Sequence, residues 1–152
     1  MAVRLTPNMN VLLTCAGRRN YLVKYFQEAL EGQGRVYCAD ASASAPALHE
    51  ADGAFLVPEV FAQNYIETLL AICKAYKIDL LLSLNDLELP FLAKAKSRFL
   101  QLGTVPLVSG SAVVETCFDK WATRKFLQDL GIDSPKSFLS LRAAVEATRN
   151  GD

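Results

Sequence analysis

Asn10-Val-Leu-Leu-Thr-Cys-Ala-Gly-Arg-Arg19 is the stretch on which the reading of this chain turns. Val11, Leu12 and Leu13 form an apolar run short enough for a strand buried on both faces. The run breaks at Ala16-Gly17, and an amphipathic segment begins near Asn20. Strand, glycine turn and helix is how a doubly wound α/β domain opens, and ligands of such sheets sit at the carboxyl ends of the strands. The loop 16–20 therefore lies where a ligand would go, and Arg18 and Arg19 within it suit an anion. The same residues also fit a plain strand-to-helix turn whose arginines are solvated.

Outward from this point the pattern alternates. Leu22, Tyr25, Phe26, Ala29 and Leu30 share one face of a helix over 21–30, which Gly32 and Gly34 end. Residues 35–40 read as a second strand ending in Asp40, and 41–51 as a loop or loose helical turn. A short third strand over 53–58 closes on Pro58. Asn64 is placed to cap a helix whose inner face is Ile66, Leu69, Leu70, Cys73 and Tyr76. The leucines of 79–84 predict a fourth strand buried on both faces. A helix from Pro90 to Leu102 follows, and Pro106 puts the fifth strand, 105–109, at an edge. The expectation is an α/β fold: a Rossmann-like parallel sheet over about residues 8–110, with helices on both faces. Residues 111–152 read as a helical linker and the start of a second domain. They hold a short helix over 111–116, an Asp119-capped helix over 120–130 ended by Gly131, a short strand at 137–139 and a helix over 141–149. A chain stopping just after a helix, with no closing strand, looks cut.

Composition removes several function classes. The 152 residues balance 16 basic against 16 acidic side chains, so no global field draws in nucleic acid or an anionic membrane. One histidine, His49, read as an exposed loop residue, leaves little room for histidine-based catalysis or zinc chemistry. Four cysteines without a C-x-x-C pair read as small buried hydrophobes in a reducing compartment. No apolar run approaches the ~18 residues of a membrane span, and residues 1–9 lack a signal-peptide core. The expectation is a soluble, cytoplasmic protein.

Three clusters could carry chemistry. A dinucleotide fingerprint would place G-x-G-x-x-G after the first strand, but only Gly17 is present. Asp40 matches the ribose-binding acid of that fingerprint. Asn85, Asp86 and Glu88 gather polar groups at the end of the fourth strand, where they could hold an amine or hydroxyl of a substrate; acids at a helix start also complement its dipole. The third cluster is Asp119-Lys120, followed by Leu127, Gly131-Ile132 and Pro135.

This last spacing resembles the junction of ATP-grasp enzymes, where a pre-ATP-grasp domain passes into the ATP-binding domain. The opening Val11 to Arg19 stretch and Leu84-Asn-Asp-Leu-Glu-Leu89 are similar to proteins labelled carbamoyl-phosphate-synthase-large-subunit-like. The resemblance covers nearly the whole chain. It implies the N-terminal part of a ligase that activates a carboxylate as an acyl phosphate for attack by an amine or other nucleophile. Lys120 would contact nucleotide phosphates, and Gly17, Arg18, Arg19, Asn85, Asp86 and Glu88 would form one wall of the substrate site. ATP and Mg²⁺ would serve the full-length parent, with the remaining phosphate, adenine and magnesium residues on a C-terminal domain beyond residue 152. Helices 111–150 without that domain would expose an apolar patch, which suits a homodimer. A stand-alone Rossmann-type module for a nucleotide or anion, and a fragment of an NAD-dependent oxidoreductase, are the alternatives.

Overall fold

The computed structural model describes residues 8–150. The chain divides between Ser109 and Gly110 into two compact units. The first is built on a parallel sheet of β1 (Val11–Thr14), β2 (Val36–Asp40), β3 (Gly53–Leu56), β4 (Leu80–Ser83) and β5 (Val105–Pro106). Its strand order is β3-β2-β1-β4-β5. Helices α1 (Asn20–Leu30), α2 (Pro46–Glu50), α3 (Tyr65–Tyr76) and α4 (Leu89–Gln101) make the crossovers, and a single 3-10 turn, Asp86–Glu88, leads into α4.

The two-residue period of β1 explains the layers. Val11 and Leu13 pack with Val23 and Leu30 of α1 and Ala47 of α2. Leu12 faces the other way, into a cluster with Leu69, Leu70 and Cys73 of α3 and Leu92, Ala95 and Phe99 of α4. In β2, Val36 and Cys38 join the first cluster, Tyr37 and Ala39 the second. The expected α/β sheet with helices on both sides is what forms.

Polar side chains fasten the strand starts. The Asn10 N–H donates to Asp79 Oδ2 (2.7 Å) and Asn10 Oδ1 accepts from the Arg35 N–H (3.2 Å). Asp52 Oδ2 accepts from the Val36 N–H (2.8 Å). Pro106 sits on edge strand β5. The ladder bonds to β4 come from the N–H groups of Val105 and Leu107 on either side of it, so its missing donor costs the sheet nothing.

Several local expectations change. Helix α1 closes on Glu31 in the left-handed conformation, one residue before Gly32. The 41–51 segment contains the real helix α2, and His49 lies in its last turn, exposed. Asn64 precedes α3 without a side-chain cap. Leu80 and Leu82 are only partly buried, so β4 is not a fully covered strand. Tyr76 is largely exposed because its ring ends an aromatic cluster with Tyr37 and Phe55, at centroid distances of 5.3 and 4.6 Å. Of the cysteines, Cys38 and Cys73 are buried, Cys15 is half-buried and Cys117 is exposed.

The second unit holds α5 (Ser111–Phe118), α6 (Lys120–Asp129) and α7 (Leu141–Arg149). Asp119 Oδ1 caps α6 by accepting from the Ala122 N–H (2.9 Å). At its other end the Gly131 N–H bonds Gln128 O and the Ile132 N–H bonds Leu127 O, a Schellman closure around Gly131 at φ +69°. Residues 137–139 form no strand; Ser140 instead caps α7 through the Ala143 N–H. Neither α6 nor α7 has a buried residue, and Val113, Phe126, Leu130, Leu139 and Leu141 are each more than half exposed.

Two neighbouring glycines should respond differently to substitution. At Gly34, φ is +146° and a Cβ would lie 1.9 Å from the Met9 carbonyl oxygen; at Gly32, φ is +77° and a Cβ would meet nothing within 4 Å. Gly34→Ala should cost about 3 kcal/mol or more, and Gly32→Ala about 1–2 kcal/mol. Urea unfolding of the two variants checks the order.

Candidate functional site

The sheet changes direction between β1 and β4: from β1 the chain moves out to β2 and β3, and β4 and β5 lie on the other side. Ligands of open α/β sheets bind at such a switch, beyond the carboxyl ends. Thr14 pairs with Ser83 in register, and the Leu84 N–H donates to Thr14 O (3.0 Å), so the loops after β1 and β4 leave side by side.

The β1 loop turns on two left-handed residues, Cys15 (φ 49°) and Gly17 (φ 51°). Asp40 closes it. One carboxylate oxygen accepts from the Gly17 N–H (2.8 Å) and the other from the Ser42 N–H (2.8 Å). Asp40 therefore shapes the loop, and its oxygens are already engaged where a ribose contact was expected. Arg19 occupies the N-cap position of α1 without a side-chain cap. Arg18 and Arg19 are exposed, and among the described residues neither guanidinium has an ion-pair partner.

In the second loop, Asn85 Oδ1 accepts from the Leu87 N–H (3.0 Å) and so nucleates the 3-10 turn. Asn85 and Asp86 stay exposed. Glu88 turns inward and is wholly buried, which corrects its expected place on the substrate wall. Its Oε2 accepts from Thr14 Oγ1 (2.7 Å) and Ser83 Oγ (2.5 Å), and its Oε1 from the Tyr65 hydroxyl (2.7 Å). No buried side-chain N or O among the described residues is left unpaired. Cys15 Sγ lies 3.7 Å from the Tyr65 hydroxyl. Burial, then the nearby Glu88 carboxylate, pushes the Cys15 thiol up to about 12 and raises Tyr65 well above the usual phenol range.

Thr14, Ser83 and Tyr65 were not singled out in the sequence. The signal was partly there: a hydroxyl residue closes each apolar run, Val-Leu-Leu-Thr14 and Leu-Leu-Leu-Ser83. Nothing local marked Tyr65. Lys120 is exposed in the first turn of α6, in the second unit. Among the described residues no three His, Cys, Asp or Glu side chains come together to hold a metal ion.

Residues 11–108 match the family model described as the PylC-like N-terminal domain. The chain belongs to that family. No curated protein matches it in sequence. Among solved structures, the PylC-like chain is similar to the biotin carboxylase domain of a single-chain bacterial carboxylase (20% identity, TM-score 0.64, covering 95% of this chain and 34% of that one). It is similar to an L-amino acid ligase from Bacillus licheniformis (22%, 0.64, 86% and 31%). It also resembles the N5-carboxyaminoimidazole synthetase from Staphylococcus aureus complexed with ADP (14%, 0.58, 84% and 31%). It spans about a third of these chains. At such identities the likeness establishes the fold alone, a Rossmann-like parallel α/β sheet. Among the described residues no helix is long and apolar enough to cross a membrane.

Glu88→Ala would leave three hydroxyls without their acceptor and open a cavity. It should destabilise the PylC-like domain by about 3 kcal/mol or more, and Tyr65→Phe by about 1 kcal/mol; urea unfolding measures both. Alkaline pH gives a second check. Burial holds Cys15 and Cys38 protonated to about 12 and Cys73 to about 11, against an ordinary thiol value of 9.0. Between those values the unfolded chain loses protons that the folded chain keeps, so stability should fall as pH rises from 9 towards 11–12. The decline should be shallower in Cys38→Ala, followed as the urea midpoint against pH.

Proposed function

We propose that this chain is the N-terminal, substrate-facing portion of an ATP-grasp ligase that joins a carboxylate to an amine. One observation carries the reading. The PylC-like domain presents two loops side by side at its switch point, one with two unpartnered guanidinium groups, the other with exposed Asn85 and Asp86. Guanidinium forks suit a carboxylate or an acyl phosphate, and a carboxylate with an amide suits an ammonium group. Gly17 lets the first loop turn tightly, and Asp40 and Glu88 hold the two loops in shape. Positioning and charge complementarity are what this wall contributes.

ATP and Mg²⁺ belong to this reading only through the longer parent. The described residues offer no acidic cluster that fits a magnesium ion, and a single exposed lysine, Lys120, does not make a nucleotide site. No phosphoryl step is assigned to residues of this chain. Lys120 is proposed as one phosphate contact completed by residues outside it. The similar structures, which include carboxylases and an amino acid ligase, support carboxylate chemistry. The amino acid ligase among the similar structures favours carboxylate–amine ligation over carbamoyl phosphate synthesis within the carbamoyl-phosphate-synthase-like resemblance.

In the longer protein, Lys120→Ala should weaken ATP binding about tenfold to hundredfold, the worth of one charge-assisted hydrogen bond. Asp86→Ala should leave ATP affinity unchanged and raise KM for the amine substrate. Calorimetry with ATP and steady-state kinetics separate the two. Equal ATP affinity for the 152-residue chain and its parent would favour the stand-alone nucleotide module.

A further inference from the structure

The loop after β1 is bonded to the loop after β2 as well as to the end of β4. The N–H groups of Gly17 and Ser42 take the two oxygens of one carboxylate, Asp40, at 2.8 Å each. Gly17 O accepts from the Ala47 N–H (3.2 Å), and Ser42 O from the Ala45 N–H (3.0 Å). Residues 17–18 and 42–44 are therefore held side by side, across a gap no wider than one carboxylate with its two donors. Ser42 and Ser44 are exposed, and their hydroxyl oxygens lie 2.9 Å apart. That bond uses one of their two protons, so one hydroxyl proton is left for a ligand. Beside them Arg18 and Arg19 carry two positive charges that no carboxylate among the described residues pairs with. Asp40 does not compete for them, because backbone donors already occupy both its oxygens. The backbone of Gly17 is open as well: a Cβ there would meet only the Cys15 carbonyl oxygen, at 3.9 Å.

Consecutive guanidinium groups repel each other and gain most from an anion that both can share. One guanidinium fork already satisfies a carboxylate. Two forks and a spare hydroxyl donor call for more acceptor oxygens and more charge than a carboxylate has. A phosphate monoester supplies three terminal oxygens and a charge of about −1.5 to −2 at neutral pH. Resting on the reading of this edge as the substrate wall of a ligase, we infer that the anion held by Arg18 and Arg19 is a phosphoryl group, seated between the loops after β1 and β2 and completed by the hydroxyls of Ser42 and Ser44. Its source is an ester on the substrate or free phosphate. Asp86, exposed beyond β4 on the other side of β1, repels a dianion and keeps it on the β2 side. The wall is thus polar along its length, with the phosphoryl end towards β2 and the amine end towards β4.

The test uses the 152-residue chain and three probes at constant ionic strength: methyl phosphate, inorganic phosphate and acetate. Amide shifts of Gly17, Arg18 and Ser42 are followed by NMR during titration. A phosphate probe should move all three and bind about tenfold or more tightly than acetate. Arg18→Gln and Arg19→Gln should each weaken that binding about tenfold. Neither should move the thermal midpoint, since neither guanidinium has a partner in the fold. Ser42→Ala should weaken it about threefold, and Lys74→Gln, which removes an exposed charge of the same sign on α3, should change nothing. Methyl phosphate binding supports an esterified substrate; binding of inorganic phosphate alone supports the free ion. Acetate binding as tightly as phosphate would overturn the phosphoryl class and leave the ligase reading standing. Phosphate binding that the arginine variants do not weaken, or that Lys74→Gln weakens equally, would overturn the site, as would the absence of any shift at the three amides. The ligase reading itself is judged separately, by the Lys120→Ala measurement.

Discussion

Glu88 carries a carboxylate into the interior of the sheet unit, and three hydroxyl groups from three different elements converge on it. An isolated buried carboxylate would be prohibitively costly. Thr14, Ser83 and Tyr65 remove that cost only when β1, β4 and the start of α3 stand in one arrangement. The requirement runs in both directions: the hydroxyls need an acceptor as much as the carboxylate needs donors. The ends of the two central strands, where an α/β sheet receives its ligand, are thereby tied together just beneath the exposed Asn85–Leu87 segment.

The remainder of the sheet supplies the frame for that knot. β1 is buried along its whole length, and its alternate side chains feed two separate apolar clusters, one under α1 and α2, the other under α3 and α4. Because every strand is parallel, all the crossover loops that lead from strand to helix emerge at one edge. Burial of the frame and exposure of the loops follow from one topology. Asp40 repeats at the end of β2, with two backbone donors, what Glu88 does at the end of β4 with three hydroxyls.

The frame was legible in the sequence because periodicity reports burial directly. All five strands and the major helices fall where apolar runs and 3.6-residue stripes put them, and Pro106 correctly indicated an edge. The 137–139 stretch failed as a strand because two apolar residues, Phe138 and Leu139, bring no partner strand with them. The site was legible by location and not by orientation. Asp86 and Glu88 look equivalent in the sequence, two acids at a helix start. One faces solvent and the other the interior, since residues two apart on a tight turn point in different directions. Thr14 and Tyr65, 74 and 23 residues away in the chain, join Ser83 in determining that Glu88 is the inward one; pairings of such separation leave no local mark.

Separation of frame from edge also explains how one architecture serves several chemistries. The side chains that hold the sheet together, Leu12, Leu81, Leu92 and Phe99 among them, are fully buried and never meet a ligand. The side chains with free charge or exposed apolar area at the carboxyl edge, Arg18, Arg19, Asp86 and Phe61, contribute little to that packing. Changing the second set leaves the first intact, so the fold persists at low identity while the recognised groups differ. Glu88 belongs to neither set alone. It is the point at which a change in the frame would be felt at the edge, because its two oxygens hold the strand ends and its backbone carries the turn that presents Asp86.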